Sequence, residues 1–148
     1  MNPNRSVPPD TVVPILIYPD VRAAVTWLGA AFGFRERVRI GESHRAQLSV
    51  GTDGAVIVAE SHDEQRPPEP GRVTHLTRVR VSNVEDHYSR ARDFGARIID
   101  GPIDREYGER DYTVVDLAGH HWKFSQTIRD VAPEDFGCES VEAWTHPR

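Results

Sequence analysis

Two stretches of this chain gather cationic and hydroxyl side chains onto single strand faces. In Thr74-His75-Leu76-Thr77-Arg78-Val79-Arg80-Val81, alternation puts Leu76, Arg78 and Arg80 on one face and His75, Val79 and Val81 on the other. In His121-Trp122-Lys123-Phe124-Ser125 it puts His121, Lys123 and Ser125 opposite Trp122 and Phe124. The apolar sets must pack under helices, which leaves Arg78, Arg80, His121 and Lys123 as candidates to line a concave surface. Several sheltered cations favour a ligand with a carboxylate, a phosphate or an electron-rich ring, because arginine pairs bidentately with such groups and stacks on rings. Glu60, closing a strand whose inward set would include Val56 and Val58, could balance one of these charges. Tyr112 could donate a phenol to the same pocket or belong to the core. The bland alternative is that these residues are solvated or form Arg–Glu pairs across a dimer.

Other tempting groups carry less. His120 and His121 are strand neighbours that point to opposite faces, so they cannot hold one ion together. His62, Asp63 and Glu64 lie in the polar, proline-rich stretch Ser61 to Gly71, which reads as a solvated loop. Cys138 has no basic neighbour in sequence to activate a thiolate, so a catalytic thiol is not expected. Trp27, Phe32 and Phe34 have the spacing of core residues.

The elements that must position these side chains repeat. Val12 to Tyr18, Asp20, the helical pattern Val21, Ala24, Val25, Leu28, Phe32 and then Gly33 correspond to Thr74 to Val81, Asn83, the pattern Val84, Tyr88, Ala91, Phe94 and then Gly95. In both, a strand ends at an Asp or Asn N-cap, and a glycine in C-cap position ends the helix. Short strands follow each helix: Phe34 to Ile40, Arg45 to Val50 and Ala55 to Ala59 in the first half, Arg97 to Ile99, Asp111 to Val115 and His121 to Ser125 in the second. Each half is thus strand, helix, three strands. The expected division is an N-terminal arm over 1–10, one domain over 11–127 (first module about 11–61, linker 61–72, second module about 73–127) and a C-terminal tail over 128–148.

Composition narrows the function classes. The chain has 148 residues and a net charge of −5, which argues against broad phosphate-backbone binding and makes nucleic acid an unexpected partner. The single cysteine rules out a disulfide framework within the chain and suits a reducing cytoplasm, as it would a secreted protein with no bridges, and no apolar run approaches the ~20 residues of a membrane span. Lys123 is the only lysine, a bias toward arginine that by itself says nothing of function.

The paired β-α-β-β-β layout, with Tyr18-Pro19-Asp20, Ala31-Phe32-Gly33-Phe34, Tyr107-Gly108-Glu109-Arg110-Asp111-Tyr112 and Asp116-Leu117-Ala118-Gly119-His120-His121-Trp122-Lys123-Phe124, resembles the vicinal oxygen chelate superfamily, which includes glyoxalases, extradiol dioxygenases and bleomycin resistance proteins. The resemblance covers about residues 10 to 127, and Asp130 to Gly137 looks like a tail common in its glyoxalase-like, bleomycin-resistance-like branch. It implies an α+β fold in which two tandem βαβββ modules curl a mixed sheet into a cup, with homodimers completing the cups. Catalytic members hold a divalent metal there, on ligands from the first strand of each module and from later strands. The corresponding positions here are Val13, Val58, Leu76 and Lys123. Valine and leucine offer no lone pair and an ammonium repels a cation, so no metal and no other cofactor is expected. The resemblance therefore points to a metal-independent protein that binds a small aromatic or anionic molecule. The alternative is an enzyme of the same superfamily, either a lyase, isomerase or dioxygenase whose metal ligands lie elsewhere in register, or a metal-free acid-base catalyst using His121, Glu60 or Tyr112.

Overall fold

A computed structural model describes residues 2–142. Two helices and eight strands form two units of the same plan. In the first, β1 (Ile15–Ile17) leads into α1 (Val21–Phe32), followed by β2 (Arg35–Ile40), β3 (Arg45–Val50) and β4 (Gly54–Ala59). In the second, β5 (Thr77–Arg80) leads into α2 (Val84–Phe94), then β6 (Arg97–Asp104), β7 (Glu109–Val115) and β8 (His121–Thr127). The strand orders are β1-β4-β3-β2 and β5-β8-β7-β6, with β1 parallel to β4 and β5 parallel to β8. The α+β architecture is the expected one, built as two four-stranded sheets. A short 3-10 turn, Pro133–Phe136, follows.

Local chemistry fixes both helices. The Asp20 carboxylate accepts from the Ala23 amide at 2.9 Å and the Asn83 side-chain Oδ1 accepts from the Asp86 amide at 3.0 Å, each satisfying an orphan donor of the first turn. Gly33 and Gly95 end the helices at φ 79° and 102°, where any side chain would be strained. Val21, Ala24, Leu28, Ala31 and Phe32 form the buried stripe of α1. They cover Leu16, Ala46, Leu48, Val56 and Val58 of the first sheet.

The units meet through their helix-covered sides. Phe32 packs its ring edge on Trp122 and Phe124 at 5.7 and 4.7 Å, and Phe34 meets Trp122 at 5.3 Å. Arg90 of α2 donates to the carbonyls of Ala30 and Gly29 at the end of α1. His87 Nε2 donates to the Phe32 carbonyl at 3.0 Å, which leaves Nδ1 to accept from Tyr112 Oη at 2.6 Å. Buried Asp116 accepts from Tyr18 Oη at 2.6 Å, from Trp122 Nε1 at 3.0 Å and from the amides of Ala118 and His120, each at 3.0 Å. His120 closes the same contact by donating Nε2–H to the Ile17 carbonyl at 2.7 Å. Each sheet thus buries one face under its helix and leaves the other open.

Several boundaries differ from expectation, β7 beginning already at Glu109 and β8 running on to Thr127. β1 and β5 are shorter than the apolar runs that announce them, although the ladder continues through Tyr18 N to Ala59 O and Val81 N to Ser125 O, each at 2.9 Å. β6 runs on past Ile99 to Asp104. It is an edge strand, and register shifts around Asp100 absorb Gly101-Pro102, so the missing proline N–H leaves no ladder bond unmade. Among the described residues no helix is long and apolar enough to cross a membrane.

Candidate functional site

The register maps the open face of the second sheet row by row. Arg78 lies beside Lys123, which faces Thr113, which faces Asp100. In the next row Arg80 lies beside Ser125, then Asp111 and Ile103. On the other flank, His121 faces Val115, which faces Arg97. Alternation puts all of these opposite Trp122, Phe124, Tyr112 and Val114, which are wholly buried on the helix side.

Ion pairs brace half of this face. Arg78 donates to Ser125 Oγ at 2.9 Å and to Glu109 Oε1 at 3.3 Å, while Ser125 Oγ donates to the same carboxylate oxygen at 2.7 Å. Arg80, more exposed, reaches Glu109 only at 4.0 Å. Burial pushes the Glu109 carboxyl up, but bonds from Thr127, Ser125 and Arg78 and the charge of Arg80 outweigh it and hold the group below the usual carboxylate range. Arg105 binds Asp111, fully buried, at 3.0 Å, and Tyr107 Oη donates to Asp111 at 3.4 Å. The Arg78 guanidinium also lies 6.0 Å from the centre of the Tyr107 ring. Arg78 is therefore an oriented cation whose side chain stays 43% exposed.

Lys123 differs. It is half-buried between Arg78 and Thr113, and among the described residues no carboxylate lies within ion-pair distance of it. Beside it, His121, Val115 and Arg97 floor a cleft of about 390 Å³, walled by Pro68 to Gly71 and Val73 of the linker and by Ala118 and Gly119 of the turn held by Asp116. That volume is at the small end of the range for small-molecule sites. A second cleft of about 370 Å³ lies across the linker, between β1 and Arg66, Arg72 and His75.

Two candidates face elsewhere. Tyr112 belongs to the helix side: its hydroxyl is bound to His87, its ring stacks on Phe124 at 5.6 Å, and burial, then the nearby Tyr88, pushes its pKa up. Glu60 lies at the end of β4 on the first unit, exposed, 3.0 Å from His44 Nδ1, so it balances no charge near Lys123. Tyr112 takes the core alternative, and the placement of Glu60 follows from the face of β4. Val56 and Val58, taken as an inward set, pack under α1, and the open face of β4 carries Ala55, Ile57 and Ala59. Glu109 and Asp111 were missed, although they alternate with Tyr112 and Val114 on the strand that carries them.

A divalent ion does not fit the positions from which the fold implies its ligands. Lys123 lies on the open face of the second sheet, Leu76 just precedes β5, Val13 precedes β1, and the strand between Ala55 and Ala59 offers only alkyl side chains there. Among the described residues no group of three or more His, Cys, Asp or Glu could hold a metal ion. Two carboxylates of the same sheet face, Glu109 and Asp111, are already committed to arginines.

Comparison with known proteins places these features. A family model described as Glyoxalase/Bleomycin resistance protein/Dioxygenase superfamily matches residues 10–124. Among solved structures, TioX from Micromonospora sp. ML1 is 35% identical with a TM-score of 0.67, over 78% of this chain and 97% of that one. A glyoxalase/bleomycin resistance protein/dioxygenase from Nocardioides shares the fold at 18% identity and a TM-score of 0.65, over 84% of this chain and 87% of that one. Among curated proteins, the uncharacterized protein Mb0911c of Mycobacterium bovis is 37% identical over 57 residues, 38% of this chain and 36% of its own length, so the match spans about a third of that relative.

Proposed function

The chain belongs to the glyoxalase/bleomycin resistance protein/dioxygenase superfamily, and within it we propose a metal-independent binding protein that takes a small aromatic or anionic compound on the open face of its second sheet. One observation carries this reading. Where the family places a metal-binding carboxylate, this chain has Lys123, beside the oriented Arg78 and without a carboxylate partner among the described residues. A half-sheltered ammonium next to a guanidinium and the Thr113 side chain recognises a carboxylate or similar anion, and the cleft at His121 and Val115 accepts the apolar body attached to it. Arg80 and His121 would add charge at the rim. The protein is proposed to act in the cytoplasm as a homodimer. That state is supported by Ile15, 48% exposed, and Leu76, 45% exposed, at the open edges of the two sheets, where a second copy would cover them.

Calorimetric titration with benzoate and 1-naphthoate, in chelator, tests the reading. The parent should bind, and Lys123→Ala should fold normally and bind five- to tenfold more weakly, as expected for losing one charge-assisted contact of about 1 kcal/mol. Equal affinity in parent and variant would remove Lys123 from the site. Binding that required added Mn²⁺ or Zn²⁺ would overturn metal independence.

A further inference from the structure

The open face of the first sheet is not free. Ala46, Leu48 and Val50 of β3 pack under α1, so Gln47, between them, points the other way, yet it is only 3% exposed. What buries it comes from the N-terminus. Gln47 Nε2 donates to the Ser6 carbonyl at 2.8 Å, and its Oε1 accepts from Arg37 at 2.8 Å. Arg37, the extra residue of the bulge in β2, also donates to the Arg5 carbonyl at 3.3 Å. Pro8, two residues on, is buried. By Pro14 the chain is in register with β1, its carbonyl accepting from the Ile57 amide at 2.9 Å.

A primary amide can donate to a backbone carbonyl through its nitrogen while its oxygen accepts from an arginine. Here both capacities are used, and the partners read backbone rather than side chains. The segment is thus held by its backbone, with a turn at Arg5–Ser6 and Pro8 buried. We propose that the open face of the first sheet is a binding surface whose resident ligand is residues 4–9 of the chain itself, fastened by Gln47 and Arg37, and that a molecule can occupy this half of the cup only once the segment leaves. Lys123 and the second sheet play no part in it.

The arm carries its own reporter, because Arg5–Ser6 is a tryptic bond whose carbonyl must leave Arg37 to enter the protease's oxyanion site. Mass spectrometry of the full chain under native trypsin should show slow release of residues 1–5. Release should be about tenfold faster in Gln47→Glu, which keeps size and the Arg37 contact but cannot donate to Ser6, and in Arg37→Gln, an exposed position whose change spares folding. Cleavage after Arg45 and Arg97 should stay as in the parent, which separates release of the arm from unfolding. Fluorescence of added 1-anilinonaphthalene-8-sulfonate should rise severalfold in the same variants as the sheet face around Gln47 is uncovered. Rapid cleavage of Arg5–Ser6 in the parent, or rates and dye signal unchanged in both variants, would overturn the proposal.

Discussion

Replacing Asp116 by alanine should cost about 3 to 5 kcal/mol, an unusually large loss for one substitution. The magnitude follows from what remains. Tyr18 and Trp122 are wholly buried, and their O–H and N–H both end on the Asp116 carboxylate. Alanine supplies no acceptor, so two buried donors lose their partner at about 1 to 3 kcal/mol each, and the amides of Ala118 and His120 lose theirs as well. Burial, then the neighbouring carboxylate, drives the Tyr18 hydroxyl far above its ordinary pKa, so it stays protonated and cannot escape by ionising. For a chain of this length the loss corresponds to roughly 6 to 20 °C in Tm. Urea unfolding followed by tryptophan fluorescence measures it, and Tyr18→Phe, which removes one donor and leaves the carboxylate three, should lose only about 1 kcal/mol. The same turn walls the cleft beside His121, so Asp116→Ala should also weaken benzoate binding. A loss below about 1 kcal/mol in Asp116→Ala would refute the argument that this carboxylate joins the two units.

Gly108→Ala should lower stability by at least about 2 kcal/mol, read as Tm, because φ is 89° and the new Cβ would meet the Arg129 carbonyl oxygen. His87 should remain neutral at pH 6 and titrate at about 4 in histidine NMR spectra, because burial, despite its bond to the Phe32 carbonyl, disfavours the cation. The unfolded chain takes that proton first, so stability should fall as pH drops from about 6.5 to about 4, and a ring charged at pH 6 would contradict the buried tautomer. Glu109 has the opposite origin but the same direction: its folded pKa is depressed, so its contribution is complete above the ordinary value of about 4.3 and is lost as pH falls through the lower, folded one. Glu109→Gln should therefore flatten the acid limb of a Tm–pH profile.

Strand alternation and caps made most of this fold legible. Arg45–Val50 and the two helices lie where turn residues, Asp20, Asn83, Gly33 and Gly95 place them. Trp122 and Phe124 are on the helix side and Lys123 on the other, as the period of two requires. The errors arose where one face had to be chosen without knowing which was covered. Tyr112 and Val58 have side chains that suit either face, and only the packing of α2 and α1 decides between them. Glu109 was readable, because it shares a parity with Asp111 and Thr113. The Tyr18–Asp116 contact was not, since 98 residues separate its partners and nothing local marks either. Nor does any sequence rule announce that the arm lies on Gln47.

Among the described residues every strand pairing joins two strands of the same unit. During synthesis the first sheet can therefore close before the second has been made, and loop closure within each unit stays short. The contacts between units, Tyr18 with Asp116 and Phe32 with Phe124, are then the last to form. Substitutions there should accelerate unfolding and leave the folding rate nearly unchanged, whereas changes under either helix should slow folding. A duplicated plan in which each copy completes its own sheet gives this chain two folding nuclei and one late seam.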